Sequence, residues 1–375
     1  MLNQAERGAL ARAIAMAARP TSCTSPNPSV GCVLLKDGET IAVGVTATPP
    51  GPHAEVVALD AAGERAQDAT AVVTLEPCAH TGRTPPCTDA LLAAGVRRVV
   101  IAHPDPNPLA TGGAARLRAA GVDVDGPVGP VWPGAVARQL EGFLTAATRG
   151  RPHVTLKQAL TADGLTVHPE GERWITSAVA RRAVHRWRAG VDAVLVGVGT
   201  VLADDPRLDV RDVPLRRDAR QPRPAVLDSR LRTPPSAAVV RPGAVILAAP
   251  GGDADAVARG HVLRHAGAEV VEVACAPEGG LDLGAALEAL AARGVVSLLA
   301  EPGPILSAAL LDAGLVDRSV RHIAVRLGTG PLAPLLAPPP GDGWELERMG
   351  GAGADLVVQH VRAPASNHLP PRYEE

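Results

Sequence analysis

The strongest signal in the sequence lies in two short segments, Pro52-His53-Ala54-Glu55 and Leu75-Glu76-Pro77-Cys78-Ala79-His80-Thr81-Gly82-Arg83-Thr84-Pro85-Pro86-Cys87. They supply one imidazole, two thiols and a carboxylate. Zinc held by one histidine and two cysteines keeps its fourth tetrahedral position open, which is typical of a catalytic rather than a structural site. We therefore predict that His53, Cys78 and Cys87 bind Zn²⁺ and that Glu55 moves protons without binding the metal.

The local sequence predicts how these side chains meet. His53 and Glu55 are two residues apart and would diverge by about 200° inside a helix, so we expect His53 at the very start of a helix. Cys78 follows Pro77, and we expect it at a helix N-terminus, where backbone N–H groups favour a thiolate. Two alternatives stay open here: a metal-free set of buried cysteines, and a structural zinc with His80 as fourth ligand.

The composition disfavours several other classes of protein. A length of 375 residues favours two domains. The 37 basic and 39 acidic residues give a net charge of -2. This balance does not predict a surface that binds nucleic acid or an anionic membrane. No apolar run approaches the ~20 residues of a membrane-spanning helix, and the N-terminal residues do not resemble a signal peptide. Five cysteines without disulfide-framework spacing predict a cytoplasmic protein with reduced thiols.

Alternating strand and helix patterns predict an α/β protein. In the first half we expect helices at 5–18, 54–62, 88–94 and 136–148, and strands at 30–35, 41–45, 71–75, 96–102 and 122–124. In the second half we expect strands at 153–159, 193–198, 225–227, 244–248, 269–273, 297–299 and 355–361, and helices at 177–188, 253–266, 283–292 and 305–313. The Gly/Pro break at 149–152 separates these halves, which predicts domains at 1–148 and 149–362 and a disordered tail at 363–375.

Further motifs surround the predicted zinc ligands, namely Thr24-Ser25-Pro26-Asn27-Pro28-Ser29-Val30-Gly31 and Asp105-Pro106-Asn107-Pro108. Together with the ligand segments they resemble the bifunctional pyrimidine deaminase/reductase family of riboflavin biosynthesis. Cytidine and tRNA adenosine deaminases have a shorter Pro-Cys-x-x-Cys spacing. The resemblance implies a cytidine-deaminase-like α/β/α fold for residues 1–148, zinc-dependent deamination of a pyrimidine, and a substrate pocket shaped by Asn27 and the loop 80–84.

Two glycine-containing turns in the second half are compatible with nucleotide binding. The predicted strand end at Gly197-Val198-Gly199-Thr200 would let a ligand approach the backbone. The turn Glu301-Pro302-Gly303-Pro304 opens a predicted helix whose first N–H groups could hold a phosphate. Both segments could equally be tight turns in an α/β sheet.

The segments 174–177, 194–211, 301–306 and 313–317 resemble the reductase half of the same family. This resemblance implies a dihydrofolate-reductase-like α/β fold for residues 149–362 and NADPH as the cofactor. It implies cofactor contacts for Trp174, Thr200, Asp204 and Gly303, and substrate contacts for Arg188, Leu208, Arg211 and Glu301. Lys157 and Asp163 match further binding positions of the family.

The resemblance implies two reactions on one small molecule. The first is hydrolytic deamination of 2,5-diamino-6-(5-phosphoribosylamino)pyrimidin-4(3H)-one, and the second is reduction of its ribosyl group to ribityl. We expect this phosphoribosylated pyrimidine as the partner, no nucleic acid and no membrane, and a homo-oligomer.

Several positions depart from the family pattern. The segment 44–47 lacks an aromatic residue and a histidine, and unusual residues stand at Leu165, Glu172, Pro302 and Arg318. Two alternatives follow: a paralogue that deaminates a related base and has a weakened reductase half, and a non-catalytic nucleotide-binding protein.

Overall fold

The structure is a computed structural model that describes residues 2–19, 21–81, 85–107, 110–126, 131–166, 174–324 and 337–362. The chain forms two compact units. The first comprises residues 1–152 with the segments 216–220 and 294–296, and the second comprises 153–215, 221–293 and 297–375. Among the described residues, no helix has both the length and the apolar character needed to span a membrane.

The first unit is built on a five-stranded sheet in the order β2-β1-β3-β4-β5. Strand β1 is antiparallel to both β2 and β3, whereas β3, β4 and β5 are parallel. The strands are β1 (Gly31–Lys36), β2 (Glu39–Val45), β3 (Thr70–Val73), β4 (Arg98–Ile101) and β5 (Asp123–Asp125). The helices are α1 (Gln4–Ala17), α2 (Ala54–Ala62), α3 (Cys87–Ala93), α4 (Gly113–Ala119), α5 (Val131–Gln139) and α6 (Glu141–Arg149).

Two glycines let helices lie directly on opposite faces of this sheet. A Cβ atom at Gly31 of β1 would overlap the Ala13 carbonyl oxygen of α1, and one at Gly44 of β2 would overlap the Ala54 carbonyl oxygen of α2. Gly44 pairs with Cys32, the neighbour of Gly31, so the two glycines face opposite sides of the sheet. The sheet is therefore covered by α1 on one face and by α2 on the other.

The second unit is built on a nine-stranded sheet in the order β10-β9-β8-β7-β11-β6-β12-β14-β13. The first seven strands of that order are parallel, and the hairpin of β13 and β14 continues the sheet in antiparallel fashion. The strands are β6 (His153–Leu160), β7 (Ala193–Gly197), β8 (Arg223–Leu227), β9 (Val245–Ala248), β10 (Glu269–Glu272), β11 (Ser297–Ala300), β12 (Arg318–Ile323), β13 (Trp344–Ala352) and β14 (Asp355–Arg362). The helices are α7 (Ala178–Gly190), α8 (Val198–Asp204), α9 (Ala254–His265), α10 (Leu283–Ala291) and α11 (Pro304–Asp312).

The predicted α/β class is confirmed, and most predicted elements lie within two residues of the observed ones. Polar caps mark several helix starts, as at Ser177 of α7 and Asp253 of α9, whose side chains accept hydrogen bonds from backbone N–H groups. The predicted tail at 363–375 and the departure at Glu172 lie outside the described residues.

The observed elements differ from the predicted ones in three respects. The helix expected at 136–148 is two helices, α5 and α6, that are separated at Leu140. The strand expected to extend to Val198 ends at Gly197, where α8 begins at once. Helices α4 and α8 and strands β12 and β13 were not predicted. Strand β13 lies at the sheet edge with most of its residues exposed, so it lacks the alternation of a half-buried strand.

Candidate functional site

A cluster of possible metal ligands lies where two helices begin in the first unit. His53 is the N-cap residue of α2, as predicted, and Cys87 is the first residue of α3. The ligand atoms of His53, Cys78 and Cys87 all lie within 4.8 Å of one another. His53 Nδ1 is 3.2 Å from Cys87 Sγ and 3.8 Å from Cys78 Sγ. The structure therefore brings together the three residues that the sequence indicated as ligands.

The predicted position of Cys78 at a helix N-terminus was wrong. Cys78 lies in the loop that follows β3, and the helix begins nine residues later at Cys87. The backbone N–H of Cys87 nevertheless donates a hydrogen bond to Cys78 Sγ over 3.3 Å. The first amide of α3 thus binds the Cys78 sulfur, although Cys78 is not part of that helix.

The donor set fits zinc. Two thiolates and one imidazole are ligands that zinc prefers, and three protein ligands leave a fourth position for water or substrate. His80, the fourth ligand in the structural alternative, is described by the structure but does not belong to the cluster. This arrangement favours an open catalytic site over a closed structural one.

Hydrogen bonds and charges inside the cluster distribute its protons unevenly. The hydrogen bond from the Cys87 thiol is the main reason that the pKa of Cys78 is lowered to about 4. The same contact, followed by burial, raises the pKa of Cys87. The hydrogen bond with Cys78 raises the pKa of His53. Zinc binds both cysteines as thiolates, so metal binding must displace the proton that lies between the two sulfur atoms.

Glu55 has the environment of a proton shuttle. It lies in the first turn of α2 and only 3% of its surface is exposed. Burial raises the pKa of its carboxyl group above the ordinary range for glutamate. A raised pKa brings a carboxyl group closer to neutral pH, where general acid–base catalysis is most effective.

Two of the candidate metal ligands, His53 and Cys78, line a cavity of about 370 Å³ in the first unit. Among the predicted residues, Asn27, His53, Glu55, Cys78 and His80 contribute to its lining. Arg83 and the rest of the segment 82–84 lie outside the described residues. A cavity of this volume is typical of a site that binds a small molecule.

Two further carboxylates organise the loops around this cavity. Glu76 Oε1 accepts a hydrogen bond from the Ala114 amide over 2.9 Å, and its Oε2 accepts one from the Asp105 amide over 3.3 Å. Asp105 in turn accepts from the Asn107 amide over 2.9 Å, and burial raises the pKa of Asp105 to about 6. Sequence reasoning quoted Glu76 and Asp105 inside motifs but gave them no role. Glu76 lies three residues after β3 and Asp105 four residues after β4, so both follow the carboxyl ends of adjacent parallel strands, a position that could have indicated a role.

A second cluster lies at the carboxyl ends of the parallel strands of the second unit. Arg188 of α7 forms a bidentate ion pair with Glu301, with Nε–Oε1 and Nη2–Oε2 distances of 2.7 and 3.0 Å. Burial opposes ionisation of Glu301, but Arg188 outweighs it and the pKa of Glu301 is lowered. Arg188 Nη1 also donates to the Asp209 carbonyl oxygen over 3.1 Å. Arg188 is thus held in place by its neighbours.

The other predicted substrate residues lie next to this pair. Leu208 is 1% exposed and adopts a φ of 51°, which turns the backbone sharply before Asp209. Arg211 donates to Asp209 Oδ1 over 2.7 Å, and 44% of its side chain remains exposed. Arg188, Leu208, Arg211 and Glu301 are therefore brought together around Asp209.

The predicted cofactor residues occupy neighbouring elements. Thr200 and Asp204 are on α8, which follows β7, and Gly303 is the N-cap residue of α11, which follows the adjacent strand β11. Trp174 is 50% exposed, and the Arg181 guanidinium lies 4.8 Å from its ring centroid.

The start of α11 is suited to bind a phosphate group of NADPH. No side chain caps this helix at Gly303, and Pro304 at its first position has no N–H, so the available amides of the first turn are those of Ile305 and Leu306. A Cβ atom at Gly303 would meet nothing within 4 Å. Dinucleotide phosphates bind at such helix starts beyond the carboxyl ends of parallel strands.

Both halves of the chain match known families. Residues 4–103 match the family model of the cytidine and deoxycytidylate deaminase zinc-binding region, and residues 152–337 match that of the RibD C-terminal domain. The chain is 43% identical over 333 residues to the riboflavin biosynthesis protein RibD of Escherichia coli, covering 85% of this chain and 87% of that protein. It is 40% identical over 334 residues to RibD of Aquifex aeolicus, covering 87% and 89%.

Solved structures agree with these matches. Acinetobacter baumannii RibD superposes with a TM-score of 0.82 at 35% identity, covering 96% of this chain and 99% of that one. A diaminohydroxyphosphoribosylaminopyrimidine deaminase/5-amino-6-(5-phosphoribosylamino)uracil reductase from Thermotoga maritima superposes with a TM-score of 0.77 at 30% identity and equal coverage. The similarity thus extends over both units, and the predicted order of a cytidine-deaminase-like and a dihydrofolate-reductase-like fold is confirmed.

Proposed function

The chain belongs to the RibD family, the bifunctional deaminase/reductases of riboflavin biosynthesis, and from that premise we propose how its residues divide the two reactions. It combines a zinc-dependent aminohydrolase with an NADPH-dependent oxidoreductase. The proposed substrate is 2,5-diamino-6-(5-phosphoribosylamino)pyrimidin-4(3H)-one, which loses an exocyclic amino group before its ribosyl group is reduced to ribityl.

His53, Cys78 and Cys87 would hold the zinc ion of the deaminase. When bound, zinc supplies the Lewis acidity that makes water a nucleophile at neutral pH. Glu55 accepts a proton from the attacking water and donates it to the ring nitrogen. It then takes the proton of the new C–OH group and gives it to the exocyclic amine, which leaves as ammonia while the carbonyl forms. Asn27 lines the same cavity and is proposed to bind the substrate. The observation that carries this proposal is the convergence of three ligand atoms within 4.8 Å, beside a buried carboxyl group.

The reduction needs a proton as well as a hydride. As the ribosyl ring opens, the C1′–O4′ bond breaks, C1′ gains a hydride from NADPH and O4′ gains a proton. We assign that proton to Lys157, whose pKa is lowered by burial and which is therefore a stronger acid than an ordinary lysine. Trp174, Thr200, Asp204 and Gly303 are the proposed cofactor residues.

The two arginines near Asp209 have different proposed roles. Arg188 is already paired with Glu301 in bidentate geometry, so it would fix the orientation of Glu301 toward the substrate. Arg211 is 44% exposed at its side chain, so its remaining donors can reach a phosphate group. Leu208 would support this region through its turned backbone.

Ammonia release and NADPH oxidation, recorded together on the diaminopyrimidinone ribotide, test both assignments. We expect matched rates at steady state. Ammonia release without NADPH oxidation would contradict the reductase assignment while leaving the deaminase assignment intact.

Glu55→Gln isolates the proton shuttle. We expect unchanged zinc content and a loss of deamination of about 100-fold or more, because positioned proton transfer contributes about 10²–10⁴-fold. Glu64→Gln makes the same chemical change at an exposed position of the first unit and should leave the rate unchanged. Ammonia release by Glu55→Gln near the wild-type rate would refute the role of Glu55.

We also propose a cytoplasmic homo-oligomer. The ligand thiols must stay reduced, which suits the cytoplasm. Strand β13 is an exposed sheet edge on which Leu346 and Met349 are 55% and 52% exposed, and such edges are usually covered. Light scattering on the wild-type chain and on Leu346→Glu would test this: we expect a dimer or larger assembly that Leu346→Glu weakens, and a monomeric wild-type chain would contradict it. Cell fractionation tests the location.

A further inference from the structure

Three polar residues lie in a row on one face of the second sheet. Ala300 of β11 pairs with Leu156 of β6, so Glu301 follows at the level of Lys157. His322 of β12 pairs with Ala159 of β6, which lies on the same face as Lys157 because side chains alternate along a strand. Diagonal neighbours on adjacent strands are about 8 Å apart at Cα, a distance that a lysine and a histidine side chain together can bridge.

His322 is a buried polar group without a partner. It is 1% exposed, and neither of its ring nitrogens has a hydrogen-bond partner among the residues that the structure describes. Leaving a buried nitrogen unsatisfied is unfavourable. Burying an unpartnered imidazole on this strand therefore needs an explanation.

Lys157 carries hydrogen-bond donors that could serve the His322 ring. Within the described parts of the chain, its ammonium group forms no hydrogen bond and no ion pair, although Glu301 acts on it electrostatically. An ammonium group has three donors and no acceptor, whereas a neutral imidazole always has one acceptor nitrogen. The two groups can satisfy each other.

We propose that His322 is a positioning residue of the reduction, whose uncharged imidazole accepts a hydrogen bond from the Lys157 ammonium group and holds it toward the reacting sugar. The inference rests on the proposed role of Lys157 as proton donor. His322 acts through Lys157, and its own burial excludes direct contact with a ligand in this conformation.

The surrounding charges keep His322 in the uncharged form that this role requires. Burial and then the positive charge of Lys157 lower the pKa of His322 to about 4, while Asp355 of β14 and Glu301 oppose that shift. Lys157 itself faces Glu301 and Arg188. A neutral acceptor next to one ammonium group is thus the stable protonation pattern at neutral pH.

The test uses the full-length protein and measures NADPH oxidation on the deaminated intermediate from pH 6 to 9. His322→Leu removes the acceptor, and we expect kcat to fall about 10- to 100-fold, the size of a hydrogen bond to a charged group. The basic limb of the kcat profile should move about one pH unit lower, because the ammonium form of Lys157 loses a stabilising partner. His322→Gln, which restores an acceptor of similar reach, should recover most of kcat.

Ser319→Ala is the matched control. Ser319 lies on the same strand, is fully buried, and its hydroxyl also has no partner among the described residues. It pairs with Leu156 and therefore faces the opposite side of the sheet from Lys157. We expect unchanged kcat and an unchanged pH profile for this variant.

A double-mutant cycle separates positioning from general damage to the fold. In a Lys157→Met background, His322→Leu should cause no further loss, because the residue on which it acts is absent. An additive loss, or a wild-type profile in His322→Leu, would overturn the proposal. If His322→Leu fails to bind NADPH, two other variants are compared instead. The amide of His322→Asn is too short to reach Lys157, whereas that of His322→Gln is long enough, so we expect His322→Gln to be faster. Equal rates for these two variants would overturn the proposal. Reduction by Lys157→Met at the wild-type rate would instead refute the proton-donor assignment.

Discussion

Replacing Gly44 by alanine tests whether the close packing of α2 on the sheet determines the geometry of the deaminase site. A methyl group at Gly44 would overlap the Ala54 carbonyl oxygen and lie 2.6 Å from the Ala58 amide nitrogen. Ordinary contact begins near 3.4 Å, so the first turn of α2 must move by roughly 1 Å. That turn follows His53 and contains Glu55. A misplacement of roughly 1 Å can lower a rate about 100-fold, and overpacking destabilises a fold by about 1–3 kcal/mol.

The assay follows both activities in the same preparation. We expect Gly44→Ala to release ammonia about 100-fold more slowly while it oxidises NADPH on the deaminated intermediate at the wild-type rate. Gly8→Ala adds the same methyl group to an exposed position of α1 with nothing within 4 Å, and should leave both rates unchanged. Ammonia release by folded Gly44→Ala within twofold of wild type would refute the reasoning that this contact positions α2.

Three more predictions follow from contacts described above. Cys87→Ser should lose zinc and deamination but keep reduction of the deaminated intermediate; zinc content by atomic emission at the wild-type ratio would contradict its role as ligand. Glu301→Gln should destabilise the second unit by about 3 kcal/mol in chemical unfolding, because Arg188 is left buried without its counterion; Glu269→Gln, in an exposed ion pair, should change stability by less than about 1 kcal/mol. The pKa of His322 is about 4 in the folded protein and about 6.5 in the unfolded chain. The stability that its uncharged form contributes is therefore complete above pH 6.5 and is lost as the pH falls toward 4. Over that range wild type should lose about 3 kcal/mol of unfolding free energy relative to His322→Leu, and parallel curves for the two proteins would contradict this assignment.

Sequence patterns were most informative where local chemistry determines the structure. Helix α2 begins and ends as predicted, because proline and histidine precede an apolar helical segment that stops at Gly63. The ligand residues could be listed from their types and spacing. Their three-dimensional convergence, however, depends on the packing of α2 and α3 beside β3, which no local pattern reports.

The failures have physical causes that can be named. Strand β12 reads Arg-Ser-Val-Arg-His-Ile and looks too polar to be buried, yet Arg318 is paired with Glu347 in bidentate geometry. Helix α8 begins without a polar cap immediately after a strand, so no signal separates the two elements. The helix assigned to Cys78 instead begins at Cys87, because a long-range contact holds the chain after Cys78 outside a helix: the Ala79 amide donates to the Ala110 carbonyl oxygen over 3.2 Å.

In the deaminase cavity, the residues proposed for catalysis and the residues that shape the space for the base lie in different segments of the chain. The metal ligands and Glu55 are fixed by two helix starts and one supported loop, whereas Thr46, Pro49, Pro50 and Gly51, in the connection between β2 and α2, contribute to the lining. Gly44, in β2 just before that connection, lets α2 lie directly on the sheet. Evolution or a designer can therefore vary the connection to admit a differently shaped base while the hydrolytic machinery stays in place.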